Sequence, residues 1–243
     1  MSLNIVTEAE YSAPKLLLYG LAGSGKSTLA SKLESPLFFD FEGGVKSLGV
    51  ARSSDKMYKG KEGLDLFYED LAEFYRGYKT QYSQFKTIVI DSVDWLMRCA
   101  VERAAGIDKY NLDETLNKSN GGYGNGKQVL ENQVRTRLIP ALALVNELGV
   151  TICLIAHADT RHVMDADGVN EDKVAPKIDV NTMNAFVEWV DEVFYLKKDS
   201  AGNRKVLVES DMNALAKNRL GLTGEYDINE TDINKLLKIK KGK

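Results

Sequence analysis

Residues Gly20 to Ser27 read G-x-x-x-x-G-K-S, a spacing suited to holding phosphate. Gly20, Gly23 and Gly25 let the backbone turn sharply and face its N–H groups toward an anion, and the helix that follows adds a partial positive charge. Gly20, Ala22, Gly23, Ser24, Gly25, Lys26, Ser27 and Thr28 are therefore the expected contacts to a nucleotide, ATP. Lys26 is expected to reach the β- and γ-phosphates, and the Ser27 hydroxyl to ligate Mg²⁺. The motif lies in the context it needs, between the apolar run PKLLLYG and the helical spacing of KSTLASKLE. It does not say what the phosphate energy drives, because kinases, helicases, transporters and recombinases all use it.

Further residues could complete such a site. Asp91 ends the β-branched run TIVID. An acid at the C-terminal end of a parallel strand can hold Mg²⁺ opposite Ser27, although an acid capping the next helix would look the same. Glu42, in FFDFEGG, can orient or deprotonate the water that attacks the γ-phosphate. Asp40 is its rival: alternation points both acids the same way, but Glu42 lies nearer the strand end, and a turn cap is the plain alternative. His157 ends VTICLIAH, where a polar side chain can sense the γ-phosphate and pass its loss to the next loop, or can simply be a hydrogen-bonded histidine. Lys217 and Arg219, in AKNRLGLTG, face one side of an extended segment. They can grip phosphate charge in a neighbouring subunit's site, or sit as solvated cations.

These residues need a scaffold that gathers strand ends. Short apolar runs alternate with runs of three-and-four spacing: LDLFYEDLAEFYRGYKTQY, a helix from about Asp94 to Ala105, QVLENQVRTRLIPALALVNELG with a kink at Pro140, and MNAFVEWV. That alternation predicts an α/β fold, a mostly parallel central sheet flanked by helices. DEVFYLKKD and RKVLVESD predict a C-terminal antiparallel strand pair across SAGN. Residues 107–127, with NKSNGGYGNGK, and Ala158–Asn181 break the pattern and are expected to be irregular, functional loops. The expected organisation is a short arm over residues 1–13, one domain over 14–230 and a basic helix and tail over 231–243.

The chain has 243 residues and a formal charge of −3, enough length for a real core and too little charge to advertise or exclude nucleic acid. Cys99 and Cys153 lie in apolar runs without a C-x-x-C, which predicts buried thiols in a reducing cytoplasm. No apolar run approaches the about 18 residues that would span a membrane, and the first thirteen residues lack a signal-peptide core.

In order, YGLAGSGKST, FFDFEGG, TIVIDSVDWL, GGYGNG, LIAHADTR and AKNRLGL resemble the phage-encoded RecA-like nucleotide-binding proteins, some of them single-strand annealing recombination proteins. FFDFEGG is similar to the recombinase strand whose glutamate activates water, and TIVIDSV to the recombinase Walker B segment. His157 takes the place of the switch residue, more often glutamine. AKNRLGLTG resembles the K-x-R segment of DnaB-type helicases, whose cations reach the next subunit's ATP site. The resemblance spans Pro14–Gly224. It implies a RecA-like P-loop NTPase core, Mg²⁺-dependent ATP hydrolysis, ATP sites shared within a homo-oligomeric ring or filament, and single-stranded DNA as partner. It places DNA-binding loops at Asn117–Lys127, with Lys118, Lys127 and a stacking Tyr123, and at Ala158–Asn181, with Arg161, Lys173 and Lys177. A single-strand DNA-binding protein is a further expected partner; a membrane is not.

With thirteen residues before the first strand, no N-terminal DNA-binding domain is expected, and the chain reads as a minimal core. Other functions fit the same motifs: an ATP-gated assembly module with little turnover, a replication- or packaging-associated ATPase, or a small-molecule P-loop kinase. The kinase fits worst, because its arginine-rich lid would have to be a loop containing one arginine, Arg161.

Overall fold

The computed structural model describes residues 12–53, 58–105, 116–164 and 170–238. Its first strand, β1 (Lys15–Gly20), is apolar on both sides. Leu16 and Leu18 face one hydrophobic cluster, Leu17 and Tyr19 the other, and all are fully buried. Such a strand belongs at the centre of a sheet covered on both faces. The strands that follow are β2 (Pro36–Asp40), β3 (Ala51–Arg52), β4 (Thr87–Asp91), β5 (Thr151–Met164), β6 (Asn170–Pro176), β7 (Glu192–Lys198), β8 (Arg204–Leu207) and β9 (Glu225–Asp227). Their order in space is β3-β2-β4-β5-β1-β7-β8-β9, with β6 pairing the far half of β5. From β3 to β7 the pairing is parallel; β8 and β9 are antiparallel. The expected mostly parallel sheet with a C-terminal antiparallel pair is what the chain forms.

One face carries α1 (Lys26–Ala30) and the C-terminal segment, the other α2 (Gly60–Gly77), α3 (Val93–Ala105), α4 (Asn125–Gln133), α5 (Ile139–Asn146) and α6 (Val180–Trp189). The last helix, α7 (Ile233–Leu236), buries Ile233 and Leu237 on the α1 side and donates from Asn234 Nδ2 to the Lys32 carbonyl at 2.8 Å. No described helix is long and apolar enough to cross a membrane. Cys99 and Cys153 are buried free thiols, their pKa values pushed up by burial. Residues 1–11 of the expected arm and 239–243 of the expected tail lie outside the described residues.

Local chemistry corrects several expected elements. The helix of KSTLASKLE stops at Ala30, because the Ser31 hydroxyl donates to the Thr28 carbonyl at 2.8 Å and the next N–H groups bond three residues back. Instead of a simple kink at Pro140, the long helix widens into a π turn over Val134–Leu138 between α4 and α5. That wider turn accommodates a proline ring that would otherwise crowd the carbonyl four residues earlier. The strands β3 and β9, of two and three residues, are too short to leave a periodic signal.

The described parts of the segments expected to be irregular are folded; residues 107–115 and 165–169 of them lie outside the described residues. β5 runs past His157 to Met164 and pairs with β6 from Ala158↔Pro176 to Met164↔Asn170, a hairpin that stands beyond the parallel sheet. The glycine-rich segment is a compact turn in which Gly124 N–H donates to the Asn117 carbonyl at 3.2 Å. It ends as α4, whose Gly126 presses on the preceding chain: a Cβ there would lie 2.4 Å from the Leu116 oxygen. The base of the hairpin is tied inward. Val174 N–H donates to the Asn213 carbonyl at 2.7 Å and Leu215 N–H to the Val174 carbonyl at 3.0 Å. The Tyr19 hydroxyl sits between the Leu215 and Val174 carbonyls, at 2.5 and 2.9 Å.

Candidate nucleotide site

β1 delivers Gly20 to the C-terminal edge of the sheet, where a Cβ would lie 2.4 Å from the Leu196 carbonyl oxygen. Beyond it the chain turns through Gly23 and Gly25 at φ +73° and +100°, conformations glycine adopts without strain. Lys26 is folded back over this loop, its Nζ donating to the carbonyls of Gly20 at 3.0 Å and Leu21 at 3.1 Å. Burial lowers its pKa, while Asp91, Glu42 and Asp94 oppose the shift. The ammonium is thus the counter-charge of an acidic cluster.

The first of those acids ends β4. Ser27 Oγ donates to Asp91 Oδ2 at 2.5 Å, across the gap between the loop and the strand. Burial, helped by the charges of Glu42 and Asp40 and opposed by the Ser27 hydrogen bond and Lys26, pushes the Asp91 carboxyl up to about 6. A hydroxyl and a carboxylate are the hard oxygen donors that suit Mg²⁺. A buried carboxyl held up beside other acids is also one that a cation would relieve. Ser27 and Asp91 therefore fit the metal role expected of them.

β2 stops at Asp40, and the reason is the Asp40 side chain. It accepts N–H bonds from Glu42 at 3.2 Å, Gly43 at 2.7 Å and Val45 at 3.2 Å, closing the turn. Phe41 N–H donates to the Asp91 carbonyl at 2.7 Å, which fastens that turn to β4. Asp40 is therefore the turn cap, and Glu42 is carried past the strand end. There the Glu42 carboxylate accepts from the Ser92 hydroxyl and lies 3.5 Å from His157 Nδ1.

His157 lies on β5 opposite Gly20. Both its backbone N–H and its ring are held by Asp94, at 3.1 Å to Oδ1 and 2.9 Å between Nδ1 and Oδ2. Sequence reasoning missed Asp94; its signal was an acid one helical turn beyond Asp91. The Asp94 hydrogen bond raises the His157 pKa against a smaller effect of burial. Burial alone would push Asp94 up, but its bonds to His157 outweigh that and hold it low. Glu42, Asp94 and His157 could also converge on a cation, since their ligand atoms lie within 4.8 Å of one another. The double hold of Asp94 on the backbone and the ring of His157 reads as a hydrogen-bonded relay.

The sign follows from those directions. The His157 share of stability is complete below its ordinary value of 6.5 and is lost as pH rises through the raised value. The Asp94 share is present above its ordinary 3.8 and is lost as pH falls through the depressed one. Asp94→Asn should therefore return the His157 titration, followed by NMR of the imidazole C–H signals, toward 6.5. An unchanged midpoint would remove Asp94 from the relay.

A family model described as "AAA domain" matches residues 12–220, a span that includes every one of these strand ends. The chain belongs to the AAA domain family. It is also similar to the SPbeta prophage-derived uncharacterized protein YorG of Bacillus subtilis (strain 168), 23% identical over 200 residues. That alignment covers 80% of this chain and 54% of YorG, so the chain spans about half the length of this relative. The fold, the loop and the family together make the chain a P-loop NTPase domain with a prophage-derived relative.

This AAA domain gathers Lys26, Ser27, Glu42, Asp91 and His157 at one sheet edge. It does not gather Lys217 and Arg219 there. Lys217 pairs with Val193 near the opposite end of β7, and its Nζ donates to the carbonyls of Val187 and Val190, at 2.6 and 2.7 Å, where α6 ends. Arg219 pairs with Asp191 at 3.1 Å and is 61% exposed. Neither bonds to the loop of its own chain among the described residues.

The residues expected to meet DNA fall on two neighbouring features of the AAA domain. Tyr123 is fully exposed at the tip of the glycine-rich turn, and Lys118 is exposed just before it. Lys127, where the turn becomes α4, lies 3.6 Å from Asp179, the cap of α6. Exposed Lys177 donates its backbone N–H to the His157 carbonyl at 2.8 Å. Arg161, 3.6 Å from Asp159, lies directly opposite Lys173 across the hairpin, so these cations share a face.

Proposed function

We propose that this AAA domain is an Mg²⁺-dependent, RecA-like ATPase that binds single-stranded DNA and promotes annealing during recombination, with ATP sites shared between subunits. The observation that carries this reading is the attachment of both candidate DNA segments to the γ-phosphate end of the site. The hairpin continues β5 directly beyond His157, and the glycine-rich turn joins the same corner through Lys127 and Asp179.

Lys26 exchanges its loop carbonyls for the β- and γ-phosphates. Ser27 and Asp91 would hold Mg²⁺, which would supply charge neutralisation there. Glu42 orients the attacking water and takes its proton as the bond from the γ-phosphorus to the bridging oxygen breaks, leaving ADP and orthophosphate. His157, held by Asp94, reads the loss of the γ-phosphate at the root of the hairpin. Lys217 and Arg219 serve the site of the next copy in a ring or filament.

The test is ATP hydrolysis with and without single-stranded oligonucleotide, beside annealing of labelled complementary strands. DNA-stimulated turnover supports the reading; absence of DNA binding at low salt ends it. Tyr123→Ala should weaken oligonucleotide binding by about tenfold in fluorescence anisotropy, the worth of one stacked base.

The bonds of Lys217 to Val187 and Val190 favour a second reading, an ATP-gated assembly module with little turnover until subunits meet. Annealing that needs ATP but proceeds at full rate with a non-hydrolysable analogue would support it.

A further inference from the structure

The residues assigned so far hold the γ-phosphate end of a nucleotide. They lie on one side of β1, where β5, β4 and then β2 follow in the sheet. A nucleotide whose γ-phosphate faces Asp91 and Glu42 must run the other way along the loop, toward β7 and β8. On that side a cation waits. Arg204 opens β8, paired with Lys198 across the hairpin. Val206, two residues on and on the same face, is buried with Leu18 and Leu29, so Arg204 points to the α1 side of the sheet. Its side chain lies over the loop: a Cβ built on Gly25 would be 3.2 Å from Arg204 Cδ, 3.4 Å from Nε and 3.6 Å from Cζ. The neighbouring Lys205 turns to the other face and pairs with Asp227 at 3.3 Å. The Arg204 guanidinium has no hydrogen bond or ion pair among the described residues.

We propose that Arg204 grips the α-phosphate of the bound nucleotide from within the same chain. This rests on the reading of Gly20–Thr28 as the nucleotide site. A half-buried arginine costs side-chain entropy to fix and returns little unless it meets an anion. Its planar fork suits two phosphate oxygens at once. The glycine at position 25 is what lets that fork lie so close, because a side chain there would push it out. Such a contact holds ATP and ADP alike, since both carry the α-phosphate.

The experiment is calorimetric titration of ADP, and of ATP with Mg²⁺, into wild type, Arg204→Lys, Arg204→Met and Arg204→Glu. Methionine keeps an apolar stem over Gly25 and removes the charge. Arg204→Met should weaken ADP and ATP by the same factor, about tenfold, equivalent to about 1.4 kcal/mol. Lysine should cost less and glutamate more. A series flat from lysine to glutamate overturns the proposal, even if one variant fails to fold. So does a loss confined to ATP, which would place the contact at the γ-phosphate. Wild type that binds no nucleotide at all would instead refute the site itself.

Discussion

The Glu42→Gln variant should bind ATP and hydrolyse it about 10²–10⁴-fold more slowly than wild type. Glutamine keeps the size of the side chain and an oxygen that can accept from Ser92, so the turn capped by Asp40 should persist. What is lost is a basic oxygen for the water proton and a carboxylate 3.5 Å from the His157 ring. Nucleotide affinity and single-turnover hydrolysis, measured side by side, separate these effects. Normal turnover would take Glu42 out of the mechanism.

Lys26→Ala should lose ATP affinity and lower any remaining turnover by about 10²–10³-fold, the usual cost of deleting one charge aimed at the reacting phosphate. The loss goes beyond a missing contact. Lys26 is the cation facing Asp91, Glu42 and Asp94, and without it those carboxylates face the incoming phosphates uncompensated. The Asp91 carboxyl, already pushed up to about 6, should rise further, weakening the metal ligand at the same time. Calorimetry of ATP binding with and without Mg²⁺ checks both parts. Undiminished affinity would mean that the loop amides alone hold the nucleotide.

Much of this was legible before any coordinates. The apolar runs ending at Gly20, Asp91 and His157 pointed to the parallel sheet, because strands buried on both faces read as continuous apolar stretches. The loop announced itself through glycine spacing. What stayed hidden was hidden for physical reasons. Asp94 looks like an ordinary helix-start acid until His157 is seen beside it. The hairpin beyond His157 carries polar residues on both faces, so it has no alternation to read. Arg204 is one cation among many, and only the fold of β8 over the loop gives it a neighbour. Lys217 and Arg219 were legible as a pair, but not their retention by Val187, Val190 and Asp191 within the chain.

The anchoring of the hairpin base has a mechanical consequence. Val174 is bonded to the 213–215 segment that leads into Lys217, and Tyr19, at the end of the strand feeding the loop, pins both. The hairpin and the Lys217 segment therefore share one attachment point on the strand that feeds the loop. On the proposed reading, a load on the hairpin would be felt as a torque at the Lys217 segment, where the next copy would dock. On that reading, a strand of DNA pulled through one subunit would loosen or tighten its grip on another, by way of the buried Tyr19 hydroxyl.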